Sequence, residues 1–202
     1  YNLNEIIVSN GAKQSVYNSI LATVNPGDEV IIPAPYWVSY PAMVSLAGGK
    51  NVVIETNKST GFKVTAEQLN AAITPRTKML ILCNPSNPTG SAYTKSELVA
   101  LADVVLKNNF YVLSDEIYEK LVYDDFEFIS FAALDPEMKK KTILVNGISK
   151  TYAMTGWRIG YTAGPENIIS AINKIQSHTT SHASSISQHA AIEAVAGPQY
   201  VI

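Results

Sequence analysis

A single cysteine, Cys83, stands among 202 residues. One thiol cannot build an internal disulfide framework or a cysteine-rich zinc site, and it fits a reducing compartment. Charged residues are scarce at 16%, against roughly 25% in an average soluble protein. That shortfall suggests that another domain or subunit covers part of the surface. Fifteen basic and seventeen acidic residues leave a net charge of −2. With no basic stripe, nucleic acid is a poor partner. No apolar run approaches the ~20 residues that span a bilayer, and the first residues lack the pattern of a secretory leader. These absences predict a soluble, cytoplasmic protein with neither membrane nor nucleic acid as partner. The chain also lacks internal repeats, low-complexity tracts and the three spaced glycines of a dinucleotide fingerprint, which disfavours NAD.

What is present is plentiful apolar material, 47% of the residues, in short β-branched runs alternating with amphipathic stretches. This alternation predicts βαβ units and a mostly parallel sheet. Strands are expected at Glu5–Val8, Glu29–Ile32, Asn51–Glu55, Lys78–Cys83, Phe110–Ser114, Thr142–Asn146 and Ile159–Ala163. Helices are expected at Gln14–Thr23, Val38–Ala47, Ala66–Ile73 and Lys95–Lys107. Thr65 with Gln68, and Thr94 with Glu97, have the spacing of capping boxes that open the last two. Ile168, Ile169, Ile172 and Ile175 mark one face of a further helix after Pro165. Residues 147–158 hold too little pattern for a crossover helix, so the last two strands are expected to be joined by a return loop and to run antiparallel. No linker divides the chain, so one domain is expected. It starts at Tyr1 directly before a strand and stops just after Gly197-Pro198, which reads as a piece of something longer.

Ligands of open α/β sheets bind beyond the carboxyl ends of the strands, and unusual residues fall there. Ser9-Asn10-Gly11-Ala12-Lys13 is a small-residue turn exposing helix-start amides, suited to phosphate or simply a tight turn. Asp115 ends an apolar strand as a functional carboxylate or a cap. Lys150 is a lysine that snorkels to solvent or, desolvated, attacks a carbonyl. Arg158 offers a fork for phosphate or for a surface ion pair. The proline-rich loop Asn84–Gly90 either aims Asn87 or merely turns, and Trp37 is a core aromatic or a platform for a ring. Each has an ordinary structural explanation. Together they describe one ligand, a phosphorylated, planar, aromatic aldehyde, and pyridoxal 5'-phosphate (PLP) has those features.

The segments Pro35-Tyr36-Trp37-Val38-Ser39-Tyr40-Pro41, Asn87-Pro88-Thr89-Gly90, Ser114-Asp115-Glu116-Ile117-Tyr118 and Ser149-Lys150 through Tyr161 resemble class I aminotransferases, in the bacterial aspartate aminotransferase branch. The resemblance covers essentially the whole chain. It implies a three-layer α/β/α large domain with a mostly parallel sheet and one antiparallel strand. It implies that Lys150 bonds covalently to the cofactor aldehyde and then shuttles a proton, and that Asp115 keeps the pyridine nitrogen protonated. Tyr118 and Asn87 match donors to the ring's 3' oxygen, and Asn87 also reaches the substrate carboxylate. Trp37 matches the residue stacked on the ring near the substrate. Gly11, Ala12, Lys13 and Arg158 match the phosphate cradle. Gly147 stands where many relatives have a phosphate-binding serine. Ala34-Pro35 and Asn87-Pro88 are expected to be cis.

The resemblance further implies a homodimeric parent that transaminates L-aspartate with 2-oxoglutarate by a ping-pong route. The small domain and the N-terminal segment are expected to lie outside this chain, which alone would turn over poorly. Transamination of aromatic substrates or prephenate, a PLP lyase, and a non-catalytic aminotransferase-like sensor domain of a transcription regulator are the alternatives. His178 and His182, four apart, lack further ligands, so no metal is expected.

Overall fold

The computed structural model describes residues 1–200 and 202. In chain order the strands are β1 (Ile6–Ser9), β2 (Glu29–Ala34), β3 (Lys50–Glu55), β4 (Thr77–Cys83), β5 (Tyr111–Asp115), β6 (Thr142–Gly147) and β7 (Gly160–Ala163). The α-helices are α1 (Ala12–Thr23), α2 (Ser39–Leu46), α3 (Ala66–Ala72), α4 (Lys95–Asn108), α5 (Pro136–Lys141), α6 (Glu166–Ser177) and α7 (Ser185–Ala196). The strands form one seven-stranded sheet in the order β1-β7-β6-β5-β4-β2-β3. β2 to β6 pair in parallel, and β7 is antiparallel to both β6 and β1. The expected return loop is there, with a single 3-10 turn at Thr155–Trp157.

Alternation along the strands makes the layers, because successive side chains point to opposite faces. Val30, Ile32, Met79, Ile81 and Leu113 pack with α1, α2 and α6, while Ile31, Leu80, Leu82 and Val112 pack with α3 and α4. Both capping boxes form: the Thr65 amide donates to Gln68 Oε1 at 3.0 Å and the Gln68 amide to Thr65 Oγ1 at 3.2 Å, while the Thr94 amide donates to Glu97 Oε2 at 2.7 Å and the Glu97 amide to Thr94 Oγ1 at 3.4 Å. Most boundaries shift by a residue or two. α1 starts at Ala12 rather than Gln14, and short α5 was not foreseen. No helix among the described residues is long and apolar enough to cross a membrane.

At the end of the sheet away from the loops described below, Glu29 takes bonds from Thr74 Oγ1 (2.6 Å), Arg76 Nη2 (2.8 Å) and Lys50 Nζ (3.1 Å). These donors hold its pKa down at about 2. Glu116, just past β5, is the opposite case. Its Oε1 accepts from the Ser114 and Ser130 hydroxyls (2.8 and 2.9 Å) and the Phe131 amide (3.1 Å), which pins the 117–130 connection to the sheet. Burial nevertheless pushes its pKa up to about 7. A group that holds its proton more tightly folded than unfolded stabilises the fold at low pH. That stabilisation is lost as pH rises from about 4.5 toward 7, on the order of 3 kcal/mol in all. Glu116→Gln keeps the accepting oxygen and cannot ionise. Its melting temperature is therefore expected to match the parent chain near pH 5 and exceed it near pH 8. Parallel melting curves across that range would show that Glu116 does not titrate there.

Candidate active site

The antiparallel strand puts every candidate at one edge of the sheet. β1 and β6 run the same way on either side of β7, so β1, β2, β4, β5 and β6 all end at this edge and β7 begins there. A cavity of about 200 Å³ opens at that edge. Ala12 and Lys13 line it from the start of α1, Trp37 and Tyr40 from the segment after β2, and Cys83 and Asn87 from the end of β4. Asp115, Ile117 and Tyr118 line it from the end of β5, and Ser149, Lys150, Thr155 and Arg158 from the β6–β7 return.

Asp115 forms its floor at 5% exposure. Its Oδ2 accepts the Tyr40 hydroxyl at 2.6 Å, and its Oδ1 accepts the Ile117 amide at 3.3 Å. Burial raises its pKa, while Tyr40 and Ile117 oppose the rise. No ion pair reaches Asp115 among the described residues. Burial also drives the Tyr40 hydroxyl well above its usual range and, with the charge of Asp115, the Cys83 thiol up to about 12. Both therefore stay protonated at neutral pH.

Lys150 is exposed to the cavity mouth, its Nζ 5.8 Å from the centre of the Tyr118 ring. Asn87 Nδ2 donates to Tyr118 Oη at 3.4 Å. Trp37 stands edge-on to Tyr40, with centroids 5.3 Å apart and planes at 88°. The Lys13 ammonium lies 4.9 Å from the centre of the Trp37 ring, so Lys13 offers the helix start its backbone amide rather than its charge.

The phosphate-like corner is built from glycines. Gly11 caps α1 at φ +88°, a conformation that favours glycine. The Ala12 and Lys13 amides begin the helix, where no preceding turn supplies an acceptor. A Cβ on Gly11 would overlap the Arg158 guanidinium, so the fork lies against the bare Cα. Arg158 adopts φ 56°, and its Nη1 donates to the Thr155 carbonyl at 2.7 Å. A Cβ on Gly147 would come within 2.8 Å of the Ile159 carbonyl oxygen. This contact explains why no serine fits there, while nearby Ser149 does line the cavity.

All nine candidates meet here: Gly11, Ala12, Lys13, Trp37, Asn87, Asp115, Tyr118, Lys150 and Arg158. Ala34-Pro35 and Asn87-Pro88 are cis as expected, and so is Asn84-Pro85, which was not foreseen. His178 caps α6 while His182 lies in the loop beyond it, bonded to the Ala183 carbonyl, so the two share no helical face. Among the described residues no group of three His, Cys, Asp or Glu could hold a metal. Sequence reasoning gave no role to Tyr40 or Gly160. The i, i+3 spacing of Trp37 and Tyr40 was a usable signal for the first, and nothing local marked the second.

Comparison with known proteins places the chain in a family. The family described as "Aminotransferase class I and II" matches residues 1–202. The aspartate/prephenate aminotransferase of Cereibacter sphaeroides is 55% identical over 98% of the chain and 50% of its own length. The aspartate aminotransferase of Geobacillus stearothermophilus is 53% identical over 98% of the chain and 51% of its own length. The crystal structure of the Rhizobium meliloti aspartate aminotransferase superposes with a TM-score of 0.98 at 50% identity, covering 100% of the chain and 50% of that structure. The chain thus spans about half the length of the relatives it matches.

Proposed function

The chain belongs to the class I and II aminotransferases, and from that premise we propose that it is the large, PLP-binding domain of an aspartate aminotransferase. The observation that carries this reading is the gathering in one cavity of a lysine, a buried carboxylate without a cationic partner among the described residues, and a glycine-lined helix start closed by an arginine. That set fits the cofactor point by point. The cradle leaves no room for a side chain at Gly11, and among the described residues Asp115 has no positive partner of the kind a pyridinium nitrogen would provide.

The Gly11–Lys13 turn and Arg158 would hold the phosphate, the first through the helix-start amides and the second through its fork. Asp115 would hold the ring N–H, Tyr118 and Asn87 would donate to the 3' oxygen, and Trp37 would cover the ring face and exclude water. When bound, the cofactor supplies an aldehyde carbon to receive amines and a protonated ring that draws electrons from the substrate Cα. Lys150 Nζ would hold that aldehyde at rest. Its amine, when free, would take the proton from the substrate Cα as a general base.

The proposed reaction is L-aspartate plus 2-oxoglutarate to oxaloacetate plus L-glutamate, in a cytoplasmic homodimer of the whole protein. The names of the relatives support the substrates, and the Cereibacter relative adds prephenate as a second acceptor to test. Val38 and Leu46, 80% and 72% exposed at either end of α2, support burial against a second copy. With half of the relatives' length outside this chain, the chain alone is expected to transaminate weakly.

Titrating the chain with PLP is expected to give a visible absorption band that borohydride traps on Lys150. The whole protein is expected to convert L-aspartate and 2-oxoglutarate. Absence of the band from chain and whole protein alike would end the PLP reading. A band without transamination of any amino acid would leave a binding domain and not an enzyme.

A further inference from the structure

Tyr40 is the largest fully buried side chain beside the cavity, at 2% exposure, and no role in the proposed reaction uses it. It touches two groups that the reaction does use. Its hydroxyl donates to Asp115 Oδ2 at 2.6 Å, and its ring meets Trp37 edge-on at 5.3 Å. α2 opens immediately before it, and the Tyr40 amide bonds back to the Trp37 carbonyl at 3.1 Å, so the two aromatic residues form one turn. A single side chain therefore spans from the floor of the cavity to its wall.

We propose that Tyr40 is a positioning residue for the cofactor, fixing the Asp115 carboxylate through its hydroxyl and the plane of Trp37 through its ring. The proposal rests on the reading of this cavity as a PLP site. A carboxylate can accept about four hydrogen bonds, and here the protein supplies the hydroxyl and one longer bond from the Ile117 amide. The remaining capacity is free for a ring N–H. A buried carboxylate with so few donors is costly to keep ionised, and a short bond from a phenol that stays protonated lowers that cost. Without the hydroxyl, Asp115 would hold its own proton more tightly and would attract a protonated ring nitrogen less. The two contacts are separable: phenylalanine keeps the edge against Trp37 and removes only the hydroxyl.

The test uses the chain titrated with PLP, with binding followed by the visible band and by quenching of tryptophan fluorescence. The Asp115 carboxyl is titrated in parallel by carbon NMR without cofactor. Tyr40→Phe is expected to weaken PLP binding about 10- to 100-fold and to raise the Asp115 pKa. In an Asp115→Asn background the same substitution is expected to change PLP binding less than twofold, because the hydroxyl acts through the carboxylate. Equal losses in both backgrounds would mean that Tyr40 only packs, and would overturn the proposal. So would a Tyr40→Phe chain with unaltered PLP affinity and Asp115 titration, while the cofactor reading would stand on the parent band. If Tyr40→Phe fails to fold, folding of the double variant supports the link to Asp115, and its failure too overturns it. A parent chain that shows no Lys150-dependent band removes the cofactor reading itself and the proposal with it.

Discussion

Lys150→Ala is expected to abolish the visible band that PLP gives with the chain, and to lower amino transfer by the whole protein about 10⁴-fold, the upper range for a group that moves a proton in the reaction. The expectation is large because one nitrogen would serve twice. It would hold the cofactor covalently at rest, then carry the substrate proton once displaced. Its setting suits both tasks. It lies on the return between β6 and β7, opposite Asp115 in the same cavity, with no carboxylate paired to it among the described residues. Removing the side chain leaves the cradle at Gly11 and Arg158 intact. PLP should thus still bind reversibly through its phosphate, with an unreacted aldehyde spectrum. Retention of a borohydride-trapped band in Lys150→Ala would assign the covalent role to another lysine, with Lys13 the other lysine lining the cavity.

Gly160→Ala is expected to cost about 3 kcal/mol, a fall in melting temperature of roughly 10 °C, and with it more than 100-fold in PLP affinity. The reason is a backbone approach. A Cβ at Gly160 would lie 2.5 Å from the carbonyl carbon of Gly11 and would overlap the nitrogen of Ala12. These are main-chain atoms that no rotamer change can move. Gly160 also pairs with Ser9 on β1 and with Gly147 on β6, so it cannot retreat without losing strand pairing. The added methyl must push the start of α1 away from β7, and with it the amides that would face the phosphate. Gly156→Ala is the control, since among the described residues nothing lies within 4 Å of its Cβ position. It should leave stability and affinity unchanged. A Gly160→Ala chain as stable and as tightly binding as the Gly156→Ala chain would show that the approach of β7 to α1 is not needed.

The secondary structure was readable because its causes are local. Thr65 and Thr94 cap their helices with side chains three residues away, and strands such as Thr77–Cys83 declare themselves by short apolar runs. The first helix was placed late because Ala12 and Lys13 carry no apolar periodicity, and Gly11 caps with backbone conformation rather than a side chain. Short α5 was missed because three successive lysines hide its one buried residue, Met138. The β6–β7 return was legible by what it lacked, a stretch long and regular enough to cross the sheet.

The candidate residues were legible for a different reason. Lysine, aspartate and arginine at strand ends are chemically conspicuous, and their joint identity suggested one kind of ligand before any distance was known. Spacing in the chain could not say that Arg158 presses on Gly11, 147 residues earlier, or that Tyr40 bonds Asp115 across two strands. The sequence by itself determined the order of most elements, the layered sheet and the residue types that gather at the strand ends, since these follow from short-range pattern and residue type. Only the tertiary structure decided that Tyr40 supports the carboxylate, that Gly160 admits the helix start, and that Gly147 excludes a serine. Those depend on backbones and side chains that meet through the sheet, where clearances of a few tenths of an ångström are set by packing.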